Sequence, residues 1–321
     1  MTSNLITKNL PPPTSQPQTS HLITSHLKPP NLPPHDHQPP TINLQPSTSN
    51  LSTSNLTTIN LQPSTSHLTT SNLQPNMLYY FSGTGNSRLV CELLAEQLND
   101  SCSTVINPLP CYGGKMGIVF PVYAWGMPNV VQFFLEKKLP QLIGSGVEYV
   151  YVVMTCGDDM GYTDALVKKA LQRHGLSLDA AFSVQMPNTY VSLPGFDVDS
   201  KPLADSKEMA MRQQIPSIVK HIQARHRVTE LCRGAYPHLK TYVLRPLFNW
   251  FLMSDRRFWT DTQRCTQCRK CVKQCPVANI SLRDGKVLWS GNCTGCLACY
   301  HCCPSNAIQY GWFTKGKGQK K

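Results

Sequence analysis

The chain changes character at residue 77. After it, short apolar runs alternate with stretches that are apolar on one side. "MLYYF" (77–81) is apolar enough for a strand buried on both faces. Past Asn86 and Ser87, the apolar positions Leu89, Val90, Leu93, Leu94 and Leu98 mark one face of a helix. "KMGIVFPVYAWGMP" (115–128) is a strand running into a loop. "VEYVYVVMTCGDDMGYTDALVKKALQRHG" (147–175) reads as buried strand, Gly/Asp loop and helix. Thr163 and Asp164 open that helix, Lys168, Lys169 and Arg173 fall toward its end, and Gly175 follows. Alternating strands and helices predict an α/β domain over 77–227, a doubly wound parallel sheet. "SKEMAMRQQIPSIVKHIQARH" (206–226) reads as a packed accessory helix and "NTYVSLPGFDVD" (188–199) as a connection, or the two together as a lid. Residues 228–259 form a linker helix region. Beyond residue 260, "NISLRDGKVLW" (279–289) is two short β-rich runs around Asp284-Gly285, a hairpin in a small α+β domain at 260–311. A basic tail, 312–321, closes the chain.

Residues 1–76 have no such pattern to offer. They lack Gly, Ala, Val, Glu, Arg, Cys and every aromatic residue, and "TINLQPSTS" recurs at 41–49 and 58–66. Such a segment buries too little apolar surface to offset chain entropy, which predicts disorder. "MTSNLITKNL" leads into prolines, unlike a secretory leader. The expectation is a translated upstream repeat, with Met77 as the natural start and a cytoplasmic location.

The 14 cysteines all follow residue 90. Eight fall in two tight runs; Cys91, Cys102, Cys111, Cys156, Cys232 and Cys302 are scattered. Without a leader, metal ligation is expected over a disulfide framework. No apolar run is long enough to span a membrane. "YVLRPLFNWFLM" (242–253) is short and interrupted by Arg245, Pro246 and Asn249. It is expected to pack on its neighbours, with contact to a membrane surface as the alternative.

"CTQCRKCVKQCP" places Cys265, Cys268, Cys271 and Cys275 at spacings x2, x2, x3 before Pro276, and "CTGCLACYHCCP" repeats this with Cys293, Cys296, Cys299 and Cys303 before Pro304. That is the bacterial ferredoxin run for [4Fe–4S] clusters, in which the fourth cysteine ligates the other cluster. Cys265, Cys268, Cys271 and Cys303 are thus assigned to one cluster, and Cys293, Cys296, Cys299 and Cys275 to the other. "CPVANI" and "CPSNAI" close the two halves alike, an internal duplication. Zinc knuckles are the alternative, but zinc gives no reason for a third thiolate two residues on. Cys302 reads as a packed thiol.

"FSGTGNSRLV" (81–90) puts a loop of small and hydroxyl residues at a helix N-terminus, where free N–H groups and the helix dipole favour an anion. Ser82, Thr84 and Ser87 add donors, and Gly83 and Gly85 let the backbone curl closely. The loop has no lysine, so it is not a P-loop, and Gly83-x-Gly85 lacks the third glycine of a dinucleotide loop. Neutral donors suit a monophosphate; a capped helix with a glycine turn is the alternative. The loops after the three strands all sit at strand C-termini, where such sheets bind ligands. One offers phosphate donors, one the flat side chains of Tyr123 and Trp125, one a glycine-flexible backbone. FMN fits all three. Asp158 and Asp159 are expected to be solvated charges, and Cys156 an inert buried thiol.

"FSGTGNS" resembles the flavodoxin phosphate loop, and "FPVYAWGMP" the second flavin loop of those proteins. With the cysteine runs following, residues 77–311 resemble the fused flavodoxin–ferredoxin proteins ("ferrodoxins") of anaerobic bacteria. "MPNTY" (186–190) and the aromatic-basic linker are similar too. The resemblance implies Ser82, Thr84, Gly85, Asn86 and Ser87 around the phosphate and Tyr123 and Trp125 near the isoalloxazine. It places the amides of Thr155, Cys156, Gly157 and Asp158 near the pyrimidine edge. It implies an electron-transfer iron–sulfur flavoprotein with FMN and two [4Fe–4S] clusters, working with redox proteins. The alternative is a flavin-dependent reductase or oxidase acting on a quinone or porphyrinogen. The formal charge of +12 falls to about +6 once two clusters and a flavin phosphate are counted at roughly −2 each. That balance suits an acidic protein partner, not nucleic acid.

Overall fold

The structure is a computed structural model that describes residues 76–144, 146–252 and 254–320. The expected disorder of 1–76 and the proposed start lie outside the described residues, Asn76 and Met77 apart. Strands β1 (Met77–Tyr80), β2 (Ser101–Thr104), β3 (Lys115–Pro121), β4 (Tyr149–Cys156), β5 (Ala180–Gln185) and β6 (Thr229–Glu230) form one sheet. Their order is β2-β1-β3-β4-β5-β6, and every adjacent pair is parallel. The first five follow the 2-1-3-4-5 order of flavodoxin-like folds, with the topological switch between β1 and β3.

Burial on both faces explains the continuous apolar runs. Every residue of β4 is buried. Val150, Val152 and Met154 enter one core and Tyr149, Tyr151 and Val153 the other. The second core is closed by α1 (Asn86–Leu98) and α4 (Lys201–Gln223) through Val90, Leu94, Met211, Ile215 and Ile218. The first is closed by α2 (Asn129–Phe133), its π-helical continuation Phe134–Lys138 and α3 (Thr163–Gln172), through Val131, Phe134, Val167 and Leu171. Each such side chain contributes about 1.5–3 kcal/mol by leaving water. Helix α4 begins at Lys201, ahead of the expected stretch, because Pro202 is tolerated in the first turn, where its missing N–H has no intrahelical partner.

From Pro237 the chain runs through α5 (Pro237–Leu239), a π-helical turn (Lys240–Leu244) and α6 (Arg245–Leu252). This segment packs inward through Thr241 and Arg245, while Leu239, Val243 and Leu247 on it are exposed. No helix among the described residues is long and apolar enough to cross a membrane.

The remaining elements are β7 (Phe258–Thr260), α7 (Lys270–Gln274), β8 (Ile280–Arg283), β9 (Lys286–Trp289), α8 (Ala298–His301) and β10 (Ile308–Tyr310). β7 pairs with β10 and β8 with β9, both antiparallel. Asp284 and Gly285 turn the β8–β9 hairpin with φ of 48° and 72°, both left-handed as a type I′ turn requires. The duplication in the sequence is also a duplication in the backbone. Gln267 matches Gly295, Arg269 matches Leu297 and Ala278 matches Asn306, all with positive φ. Alternating left- and right-handed residues turn successive N–H groups toward one point, a nest for negative charge.

Candidate cofactor sites

A cleft of about 460 Å³ opens at the C-terminal ends of β1, β3 and β4, within the usual range for small-molecule sites. Ser82, Gly83, Thr84, Asn86, Ser87, Tyr123, Trp125, Thr155, Cys156, Gly157 and Asp158 all border it. Gly85 does not line the cleft; with φ 96° it is the N-cap of α1, a conformation that favours glycine. No side chain caps that helix start, so its first N–H groups have no side-chain acceptor. The hydroxyls of Ser87 and Thr155 lie 2.7 Å apart, tying the first loop to β4. Asn86 borders the cleft with its side chain already engaged. Its amide N–H donates to the Pro187 carbonyl (2.8 Å) and its Oδ1 accepts from Lys320, so it joins loops.

Ala124 and Trp125 both have positive φ, 45° and 56°, and Tyr123 and Gly126 exchange backbone hydrogen bonds of 2.9 and 3.2 Å across them. This two-residue turn presents the Tyr123 and Trp125 rings to the cleft. Arg245 locks it from behind, donating to the carbonyls of Tyr123 (3.4 Å) and Met127 (2.8 Å), and Thr241 donates to that of Trp125 (3.2 Å). Burial lowers the Arg245 pKa. Gly126 leaves room for this guanidinium, since a Cβ there would lie 2.2 Å from Arg245 Nε.

Asp158 is solvated as expected, its side chain 77% exposed. Asp159 is not: its Oδ2 accepts from Lys240 at 2.6 Å, and the pair is mostly buried. The partner lies 81 residues away in sequence, which is why the loop alone does not reveal it. The Cys156 thiol is buried, and burial pushes its pKa up to about 12. The connection 188–199 supplies further cleft residues: Asn188, Thr189 and Tyr190 of the "MPNTY" stretch, and Leu193 and Phe196, to which the sequence assigns no role of their own. Tyr190 Oη is buried there without a hydrogen-bond partner, an unmet polar group of the kind a bound ligand satisfies.

The eight clustered cysteines fall around two cavities. Cys265, Cys268, Cys271 and Cys303 line one, with Arg269, Lys270 and Leu282. Cys275, Cys293, Cys296 and Cys299 line the other, with Phe258, Ile280 and Leu297. Each set takes three thiols from one run and one from the other. Backbone N–H groups point at sulfur: Asn279 to Cys275 (3.2 Å), Gly295 to Cys293 (3.3 Å) and Ala307 to Cys303 (3.2 Å). Among the described residues no three metal-binding side chains converge tightly enough for a single ion; the thiols surround volumes instead. That arrangement, with its N–H dipoles, fits cubane clusters. Burial raises the thiol pKa of Cys293 to about 11 and of Cys296 to about 12, so these thiols would have to give up protons to ligate a cluster there. Cys302 borders neither cavity.

Cleft and second cavity share a wall. Cys296 and Leu297 line both. A Cβ on Gly83 would lie 2.5 Å from Cys296 Cβ and 3.1 Å from Tyr123 Oη, so the glycine permits the contact of phosphate loop and cysteine loop. Burial, then Cys296 and Cys293, raise the Tyr123 pKa well above its ordinary value, so the phenol stays neutral there.

Residues 264–308 match the 4Fe-4S dicluster domain family. No curated protein matches the chain. Among solved structures, the chain is similar to rubredoxin oxygen:oxidoreductase from the anaerobe Desulfovibrio gigas (13% identity, TM-score 0.31, 48% of this chain), of whose length it spans 38%. It is also similar to an archaeal flavodoxin (12%, TM-score 0.28, 46% of this chain and 99% of that one). A third is NAD(P)H:quinone oxidoreductase from Methanothermobacter marburgensis (10%, TM-score 0.29, 45% and 96%). The strand order and the dicluster match together make this chain a flavodoxin-like fold joined to a 4Fe-4S domain.

Proposed function

We propose that the protein is an electron-transfer iron–sulfur flavoprotein of the ferrodoxin type, holding FMN in the cleft and a [4Fe–4S] cluster in each cysteine-lined cavity. In this reading residues 77–227 carry the flavin loops, 228–259 brace them, 260–311 carry the clusters and 312–321 form a tail. The observation that carries it is the shared wall: Cys296 borders both the cleft and the second cavity. Bound flavin exchanges one or two electrons and an iron–sulfur cube one, so such a pair links two-electron to one-electron couples.

The chain's own residues do the rest. Ser82, Thr84 and the open start of α1 bind the phosphate, and the Ala124–Trp125 turn orients flat side chains. Phe258, Ile280 and Leu297 keep water from the second cavity, while the N–H groups on Cys275, Cys293 and Cys303 stabilise thiolate charge. The partners would be redox proteins, acidic ones given the basic chain. Anaerobic reconstitution of the full chain tests this, with about eight irons, eight sulfides and one FMN expected per chain. Two zincs and no iron would refute it.

A second reading, a reductase acting on a small molecule, is favoured by one observation. Tyr190, Leu193, Phe196 and Phe248 give the cleft an apolar, largely aromatic lining. Saturable reduction of a quinone to its quinol by the reconstituted protein, with dithionite supplying the electrons, would select that reading.

A further inference from the structure

The phosphate loop has no lysine of its own, yet an ammonium group stands over it. Lys320 Nζ donates to the Thr84 carbonyl at 3.0 Å and to Asn86 Oδ1, and a Cβ on Gly85 would lie 3.8 Å from it. The tail that carries it is fixed residue by residue. Lys317 Nζ donates to the carbonyls of Val191 (2.8 Å) and Leu193. Gly318 N–H donates to Asp197 Oδ1 (2.9 Å), and the Gln319 side-chain amide to the carbonyls of Tyr300 (2.5 Å) and Cys303 (2.8 Å). His301 makes the last anchor. Its Nε2–H donates to the Thr189 carbonyl (2.8 Å), leaving Nδ1 to accept from the Lys320 N–H (3.0 Å).

By itself this placement is unfavourable. A cation is repelled by the positive end of a helix dipole, and α1 starts at this loop. The ammonium is partly buried and its acceptors are neutral; among the described residues no carboxylate forms an ion pair with it, and the attraction of Glu208 is outweighed by burial, which lowers the Lys320 pKa. A dianion between Lys320 and the helix start removes both penalties.

We propose that Lys320 is the cation of the phosphate site, delivered by the C-terminal tail of the cluster-bearing part to a loop whose own donors are uncharged. The inference rests on the flavin reading and adds a specificity to it. The site distinguishes a phosphate monoester from the same ligand without phosphate, and it is complete only when the tail is docked.

The test is a fluorescence titration of the full-length, cluster-loaded, flavin-free protein with FMN and with riboflavin. One charge-assisted contact contributes roughly 1.5–3 kcal/mol, so Lys320→Gln is expected to weaken FMN binding about 10- to 100-fold. Riboflavin affinity is expected to stay as in the wild type, and Lys320→Arg to restore most of the FMN affinity. Equal loss for both flavins would reduce Lys320 to a structural anchor, and no loss for either would remove it from the site; each outcome overturns this inference alone. A wild-type protein that binds neither flavin overturns the flavin reading beneath it.

Discussion

Gly83 shows how little slack the junction has. Its missing side chain leaves space for Cys296 Cβ, 2.5 Å from where a Cβ would stand, and for the Cys296 carbonyl at 3.0 Å. Gly83→Ala is expected to push the two loops apart and destabilise the protein by about 1–3 kcal/mol, the usual cost of overpacking. Urea unfolding of the loaded protein measures this, and an unchanged midpoint would contradict the close approach. The cysteines give a second residue-scale expectation. Because Cys275 sits with Cys293, Cys296 and Cys299, Cys275→Ala should damage the cluster held by the second run. Paired EPR of Cys275→Ala and Cys265→Ala reads it: the two variants should lose different clusters. Residue types and spacings made the cysteines legible in the sequence, since ligation is written in identity and local distance. Asp159 was not legible, because its burial depends on Lys240, far along the chain.

At the scale of elements, the segment 237–252 braces the cleft more than it links. Arg245 holds the carbonyls of Tyr123 and Met127, Lys240 holds Asp159, and Thr241 both donates to Trp125 and accepts from the Tyr162 N–H at 2.9 Å. Arg245→Met leaves the buried Met127 carbonyl without a donor, at about 1–3 kcal/mol for an unsatisfied group, and leaves the Tyr123 carbonyl only the Gly126 N–H. The expected outcome is weaker FMN binding through loss of the Ala124–Trp125 turn, followed by flavin fluorescence. Full affinity in Arg245→Met would show that the turn holds itself. Strands β1, β3 and β4 are legible as apolar runs because both their faces are buried. β2, with sequence SCST, carries no such run: it is a sheet edge, and pairing with β1 through backbone groups alone makes it a strand.

Across the whole molecule, the cleft is built from the sheet's loops and from the second cysteine loop, whose Cys296 lies more than 200 positions from Ser82 in the chain. Its inner wall is shared with the second cysteine cavity, and Lys320 donates to the Thr84 carbonyl of the loop that borders it. Cofactor sites that share a wall should stabilise one another, since each loaded site orders residues the other uses. Removing the clusters by oxidation and chelation is therefore expected to lower FMN affinity in the otherwise intact protein. Stopped-flow release of FMN before and after chelation measures it, and identical release rates would mean that the cysteine loop keeps its shape without metal.

The sequence by itself determined which chemistry is available. Cysteine spacing, a glycine-hydroxyl loop and alternating apolar runs are local patterns, and local patterns survive without coordinates. Only the tertiary structure decided how these parts meet: that the second thiol set shares a wall with the cleft, that Asn86 joins loops, and that a loop without lysine lies under one. Contacts of that kind depend on chain segments up to 236 positions apart, and nothing in the composition of either segment names the other.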